Sequence, residues 1–236
     1  MIPVGDEPRS RAFPFVNLAL IAANVLVFFY ELSLSPRELQ LFFFDWGVVP
    51  RRLVGWLESP SGWEAPATVF TSMFLHGGWL HLIGNMLYLW VFGDNVEDAL
   101  GHLKYLLFYL VSGIGAVALQ VALDVNGLVP MVGASGAISG VLGAYLFLYP
   151  TATVSVLVPW FWFFGFMPVP AAVLIGFWFL LQLFSGVASL GARAVGIEGG
   201  IAFWAHVGGF VTGFLLVLLL RPRRRSRLVQ RWDLWD

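Results

Sequence analysis

The sequence contains no cysteine. That excludes disulfides, a thiol nucleophile and a cysteine-ligated metal site. Charge is also scarce: Asp, Glu, Lys and Arg make up 11% of the 236 residues, where a soluble domain carries about a quarter. A net charge of −1 gives no basis for nucleic-acid binding. There is no HExxH stretch, so the zinc metalloprotease pattern is missing. No internal repeat, direct or inverted, suggests a solenoid or a transporter. What fills the chain instead is apolar, 59% of all residues. This composition predicts an all-α polytopic membrane protein of one domain.

A helix needs about 20 apolar residues to cross the hydrocarbon. Six such runs are present, at 15–34, 79–98, 103–122, 135–150, 169–189 and 202–220. The polar residues 1–14 lead straight into the first, which reads as an uncleaved span rather than a signal peptide. Pro159, Pro168 and Pro170 interrupt "VSVLVPWFWFFGFMPVP", which is expected to be an interfacial loop and not a seventh crossing. The loop at 35–78 holds "LQLFFFDWGVVP", too aromatic for a solvated linker, and should lie partly in the membrane interface. The expected organisation is a short tail (1–14), a six-span domain (15–220) and a basic tail (221–236).

Arginine and lysine set the orientation. With six spans, nine of them fall on the side of the termini: Arg9, Arg11, Lys104 and six in the tail "RPRRRSRLVQR". Arg37, Arg51, Arg52 and Arg193 fall on the other side. Both termini are therefore expected in the cytoplasm.

Polar groups inside spans are costly and usually functional. His81 and Asn85 stand at i, i+4 near the outer start of the second span, on one face. His76 precedes that span. Ser135 starts the fourth span, and His206 lies about one turn into the sixth. All three spans run inward, so these residues fall at one depth near the outer face. A lone serine in a glycine-rich membrane helix is more often a packing residue. Several polar residues at one depth on three helices favour chemistry. A serine hydroxyl needs a base to become a nucleophile, and His206 is the candidate. His81, Asn85 and the Ser135 backbone N–H are candidate donors to an oxyanion. No carboxylate is expected at this depth, so the site reads as a Ser–His dyad. Ser139, one turn deeper, is the competing nucleophile. His102 has no expected role, and Ser72 reads as a loop or cap residue.

Small residues recur at i, i+4 on two spans: Gly136, Gly140 and Ala144, and Ala205, Gly209 and Gly213. Such ridges allow close approach of helix backbones. They are expected to bring His206 within hydrogen-bond reach of Ser135.

At these positions the sequence resembles the rhomboid intramembrane serine proteases. The matching stretches are "TSMFLHGGWLHLIGNMLYLWVFG" (71–93), "GASG" (133–136) and "AHVGGFVTG" (205–213). The resemblance implies a six-helix rhomboid-like bundle in a bilayer, that of a prokaryotic inner membrane. It implies cleavage of single-span or polytopic membrane-protein substrates near the outer face, with no cofactor or metal. Carried over, Ser135 is the nucleophile, His206 the general base, and His81 and Asn85 the oxyanion donors. Gly133, Gly136, Gly209 and Gly213 support them. His76 is a structural or cavity-lining histidine, and Glu97 in "GDNVE" has a structural role. Two positions depart from the family pattern. "APATVF", with only Trp63 nearby, stands where a Trp–Arg pair is common, which predicts a different anchoring of the first loop. Ser139 stands where many relatives have an aromatic that packs on the catalytic ring.

Two other classes compete. One is a catalytically inactive rhomboid-like protein that binds membrane clients, against which the complete set of polar residues argues. The other is a small-solute transporter, against which the missing repeats argue.

Overall fold

The first apolar run forms helix α1, Phe15–Glu31. Its structural description comes from a computed structural model covering residues 2–8, 10–160, 163–194 and 201–220. Arg9 and the basic tail 221–236 lie outside the described residues. The N-terminus of α1 is held by Glu97, whose carboxylate accepts the Val16 and Asn17 backbone N–H groups at 3.0 and 2.7 Å. A carboxylate is favourable there because the first-turn N–H groups have no intrahelical partner and the helix dipole is positive at that end.

The first loop is largely helical. It contains α2 (Pro36–Trp46), α3 (Pro50–Glu58) and α4 (Glu64–Thr71). Ser35 and Glu38 form a reciprocal cap at the start of α2, and those bonds hold the Glu38 carboxyl below its usual pKa. Trp63 is exposed. The loop is anchored elsewhere: Val48 and Met131 exchange backbone hydrogen bonds of 3.1 and 2.8 Å, and Arg51 N–H donates to the Gly127 carbonyl at 3.0 Å. This clamps the first loop to the segment that precedes Ser135.

The second run begins with α5 (Trp79–Tyr88), passes through a π-helical turn at Leu89–Gly93 and continues as α6 (Asp94–Leu100). The Asn17 amide donates to the Leu89 carbonyl at 2.9 Å, satisfying backbone that the widened turn releases. Gly101 then takes φ +82°, a conformation that favours glycine, and turns the chain into α7 (His102–Ala122). Helices α8 (Ser135–Leu148), α9 (Ala171–Ala194) and α10 (Phe203–Leu220) follow. Three helical stretches, His102–Ala122, Ala171–Gly191 and Phe203–Leu220, are long and apolar enough to cross a bilayer by themselves. Helix α9 turns Phe177, Leu180, Phe184 and Val187 outward, the surface expected of a lipid-facing helix.

The packing centre is α7–α8–α10. Buried Tyr105, Phe108, Tyr109, Ile138, Leu142, Tyr145 and Phe210 belong to one core. Glycines set the spacing. A Cβ on Gly209 would collide with the Gly136 carbonyl oxygen, and one on Gly213 with the Gly140 backbone. A Cβ on Gly208 would lie 2.6 Å from the Gly115 carbonyl oxygen on α7. The two small-residue ridges are thus in direct backbone contact, with α7 against the neighbouring side of α10.

The expectation of an all-α chain with a loop at 154–170 is corrected. That stretch forms an antiparallel hairpin, β2 (Thr153–Trp160) with β3 (Phe163–Pro170). A third strand, β1 (Ile2–Asp6), pairs antiparallel with β2, Ile2 opposite Leu157 and Asp6 opposite Val154. Asp6 also accepts from Tyr145 and, at 3.0 Å, from the Asn95 amide. The prolines are compatible with strands because Pro168 and Pro170 sit on the outer strand β3 of a sheet ordered β1–β2–β3, and Pro159 lies on β2 beyond Leu157, the last residue that pairs with β1. The chain is mostly helical, with this small sheet at one end.

Candidate active site

Ser135 is the first residue of α8. Its placement depends on Gly133, which takes φ +127° and donates its N–H to the Ser72 carbonyl at 2.8 Å. A Cβ there would lie 2.6 Å from His81 Nε2 and 3.6 Å from Ser135 Oγ. Position 133 therefore requires glycine both for conformation and for the close passage of the His81 ring. The same measurement places His81 Nε2 and the Ser135 hydroxyl around one small space.

Helix α10 brings His206 to Ser135. Its start is held on α7 by Gln120, whose side-chain oxygen accepts the Ala205 N–H at 3.2 Å. His206 Nε2 is 2.8 Å from Ser135 Oγ. On the other side of the ring, Nδ1 is 2.8 Å from Gln182 Oε1 on α9. Trp178, one turn before Gln182, lies with its ring centroid 6.0 Å from that of His206. Ser139, the competing serine, is buried and donates its hydroxyl to the Ser135 carbonyl at 2.6 Å.

The second helix supplies the facing wall. His81 Nδ1 accepts the Gly77 N–H at 3.4 Å, which leaves Nε2 to carry the proton toward the space beside Ser135. Asn85 is buried, and its amide nitrogen donates to His76 Nε2 at 2.9 Å. His76 is 1% exposed, and burial with the neighbouring His81 lowers its pKa to about 4, so the ring is neutral and can accept. A cavity of about 590 Å³ opens over these groups; its lining includes His81, Asn85, Ser135, Ser139, Trp178 and His206. Among the described residues no cluster of His, Asp and Glu is arranged to hold a metal ion.

Three expectations change in detail, and one residue is new. His76 is not part of the cavity lining; it stands behind Asn85. A carboxylate does lie near this end of the bundle: buried Glu31, the last residue of α1, accepts the His76 backbone N–H at 3.1 Å. Its hydrogen bonds go to His76 and not to Ser135 or His206. His102 is not idle, since its Nδ1 is 2.5 Å from Glu97 at the far end. Gln182 was missed altogether. It is the one amide in α9, a helix whose other polar residues are Ser185, Ser189 and Arg193, and the cost of placing an amide in a membrane span is the signal available.

The sequence has relatives. A family model for the Rhomboid domain matches residues 63–223. RHOMBOID-like protein 5 of Arabidopsis thaliana is 32% identical over 179 residues, 75% of this chain and 50% of its own length. RHOMBOID-like protein 1 of the same plant is 34% identical over 157 residues, 66% of this chain and 35% of its own length. Rhomboid protease AarA of Providencia stuartii is 29% identical over 219 residues, 85% of this chain and 70% of its own length. The chain thus spans half or less of those two plant proteins. The match over residues 63–223 takes in Ser135, His206 and the facing wall, and with it the chain is identified as an integral membrane protein that belongs to the rhomboid family.

Proposed function

We propose that this protein is an intramembrane serine endopeptidase that hydrolyses peptide bonds in or beside the transmembrane segments of other membrane proteins. The observation that carries the reading is the 2.8 Å contact between Ser135 Oγ and His206 Nε2 at the base of the cavity. Nucleophile and base at that distance are what acyl transfer requires.

Each step has a group to perform it. Ser135 Oγ attacks the scissile carbonyl carbon as His206 Nε2 takes its proton. The carbonyl oxygen becomes an oxyanion. His81 Nε2–H, the second amide hydrogen of Asn85 and the Ser135 backbone N–H at the start of α8 are its donors. Collapse expels the amine with the proton from His206 and leaves an acyl-Ser135. Water, deprotonated by His206, then releases the acid. Gly133, Gly136, Gly209 and Gly213 hold the geometry, and His76 supports Asn85.

Six crossings form the domain at 15–220: α1, the continuous α5–α6 helix, α7, α8, α9 and α10. The termini face the cytoplasm, and the 35–78 loop lies at the outer interface. The protein resides in a prokaryotic inner membrane. With 14 residues, α8 rises about 21 Å, less than the roughly 30 Å hydrocarbon thickness. Ending at the inner boundary, it starts below the outer one, at a depth where Ser135 meets a spanning segment.

The test is incubation of the full chain in detergent with a tagged single-span substrate, beside Ser135→Ala, with fluorophosphonate labelling of both. Cleavage and labelling that depend on Ser135 support the protease. Labelling of neither, together with stable capture of the substrate, would make it an inactive client-binding protein.

A further inference from the structure

The geometry points to Gln182 on α9 as the positioning residue that fixes the tautomer of His206. This rests on the Ser135–His206 reading above and adds a third group from a helix that reading does not use.

A base at Nε2 must have that nitrogen bare, so its single proton must sit on Nδ1. The Gln182 side-chain oxygen, 2.8 Å from Nδ1, accepts in this orientation of the amide, which matches the Nδ1–H form that a base at Nε2 needs. The opposite tautomer would place a proton between Nε2 and Ser135 Oγ and leave Nδ1 facing a second acceptor. Two nearby polar groups among the described residues are engaged elsewhere. Ser139 is committed to the Ser135 carbonyl, and Glu31 to the His76 backbone. Trp178, at i−4 from Gln182 on the same face of α9, lies beside the ring and limits its rotation. His81, Tyr88 and Asp124 are the other titratable groups lining the cavity among the described residues. An amide in place of a carboxylate holds the ring without adding charge, which suits an apolar bundle.

The direct readout is ¹⁵N NMR of histidine-labelled full chain in detergent, feasible with four histidines. In the wild type, neutral His206 should carry its proton on Nδ1. Gln182→Met, of similar length but without the acceptor, should move a measurable fraction to Nε2. The same variant should lower kcat about ten- to a hundredfold, with KM and melting temperature little changed. Gln182→Glu keeps the acceptor and should retain activity. Its carboxylate favours the imidazolium, so the acid limb of the pH–rate profile should move to higher pH. A wild-type His206 protonated on Nε2 overturns the inference, as does Gln182→Met with unaltered tautomer or kcat. An Nδ1–H signal in a chain with no Ser135-dependent cleavage would instead sink the protease reading and leave the Gln182 bond standing.

Discussion

Gly209 of α10 lies so close to Gly136 of α8 that a Cβ at 209 would overlap the Gly136 carbonyl oxygen. The obstacle is backbone, which cannot rotate away. Gly136 is the residue after Ser135, and Gly209 is three residues after His206. This close backbone approach therefore lies next to both Ser135 and His206 and bears on the distance between them.

Gly209→Ala alone should separate the two helices, and Gly209→Val further. Misplacement of about 1 Å can cost on the order of 10² in rate, so cleavage should fall by at least that factor. Gly176→Ala is the control, because nothing lies within 4 Å of a Cβ at that position on α9. Rates and melting temperatures measured on purified protein decide the matter. A fully active Gly209→Ala enzyme would refute the role of the close approach; equal loss of folding and activity would reduce it to generic packing.

The two serines of "GASGAISG" should separate cleanly. Ser135→Ala should abolish cleavage while leaving the melting temperature near wild type, because it removes one hydroxyl from a half-buried position. Ser139→Ala loses a bond to the Ser135 carbonyl, worth about 1 kcal/mol, and should keep most activity. Reversal of these results would move the nucleophile to Ser139.

Removing the Asn85 side chain has two consequences that can be measured apart. One donor to the oxyanion is lost, which commonly costs about 10²–10³ in rate. His76 Nε2 also loses its partner while buried, a penalty of about 1–3 kcal/mol in stability. Asn85→Ala should therefore be both slower and less stable. Unchanged single-turnover kinetics would take Asn85 out of the reaction and leave only its bond to His76.

The sequence made the helices and the pairing of Ser135 with His206 legible for a simple reason. Apolar runs fix the helices, and a polar side chain within such a run stands out. The direction of each run then puts Ser135, His206, His81 and Asn85 toward one end. Gln182 escaped because its partner is set by the rotation of α9 about its own axis, which no single helix encodes. Glu31 escaped because the end of an apolar run is where a charged residue is ordinary. The hairpin at 153–170 was hidden for a different reason. Its apolar alternation was obscured by prolines, and its third strand comes from Ile2–Asp6, about 150 residues away in the chain. Strand pairing at that separation depends on the helices having already brought the segments together.

That distant pairing yields the last prediction, which concerns sidedness. Because Ile2–Asp6 pairs with β2, residue 5 and residue 155 must lie on one side of any membrane the bundle spans. Arg37 follows α1 beyond Glu31, which bonds to His76 near the active-site end, so residue 37 must lie on the other. The wild type has no cysteine, so single replacements give unambiguous labels. Gly5→Cys leaves room for a side chain, and positions 155 and 37 are exposed. With the charge bias placing both termini inside, an impermeant maleimide on intact cells should label Arg37→Cys only. After lysis it should label all three. Labelling of 5 and 155 from opposite sides would contradict the sheet itself. Labelling of 5 and 155 together from outside, with 37 protected, would keep the fold but invert it, and Ser135 would then open toward the cytoplasm.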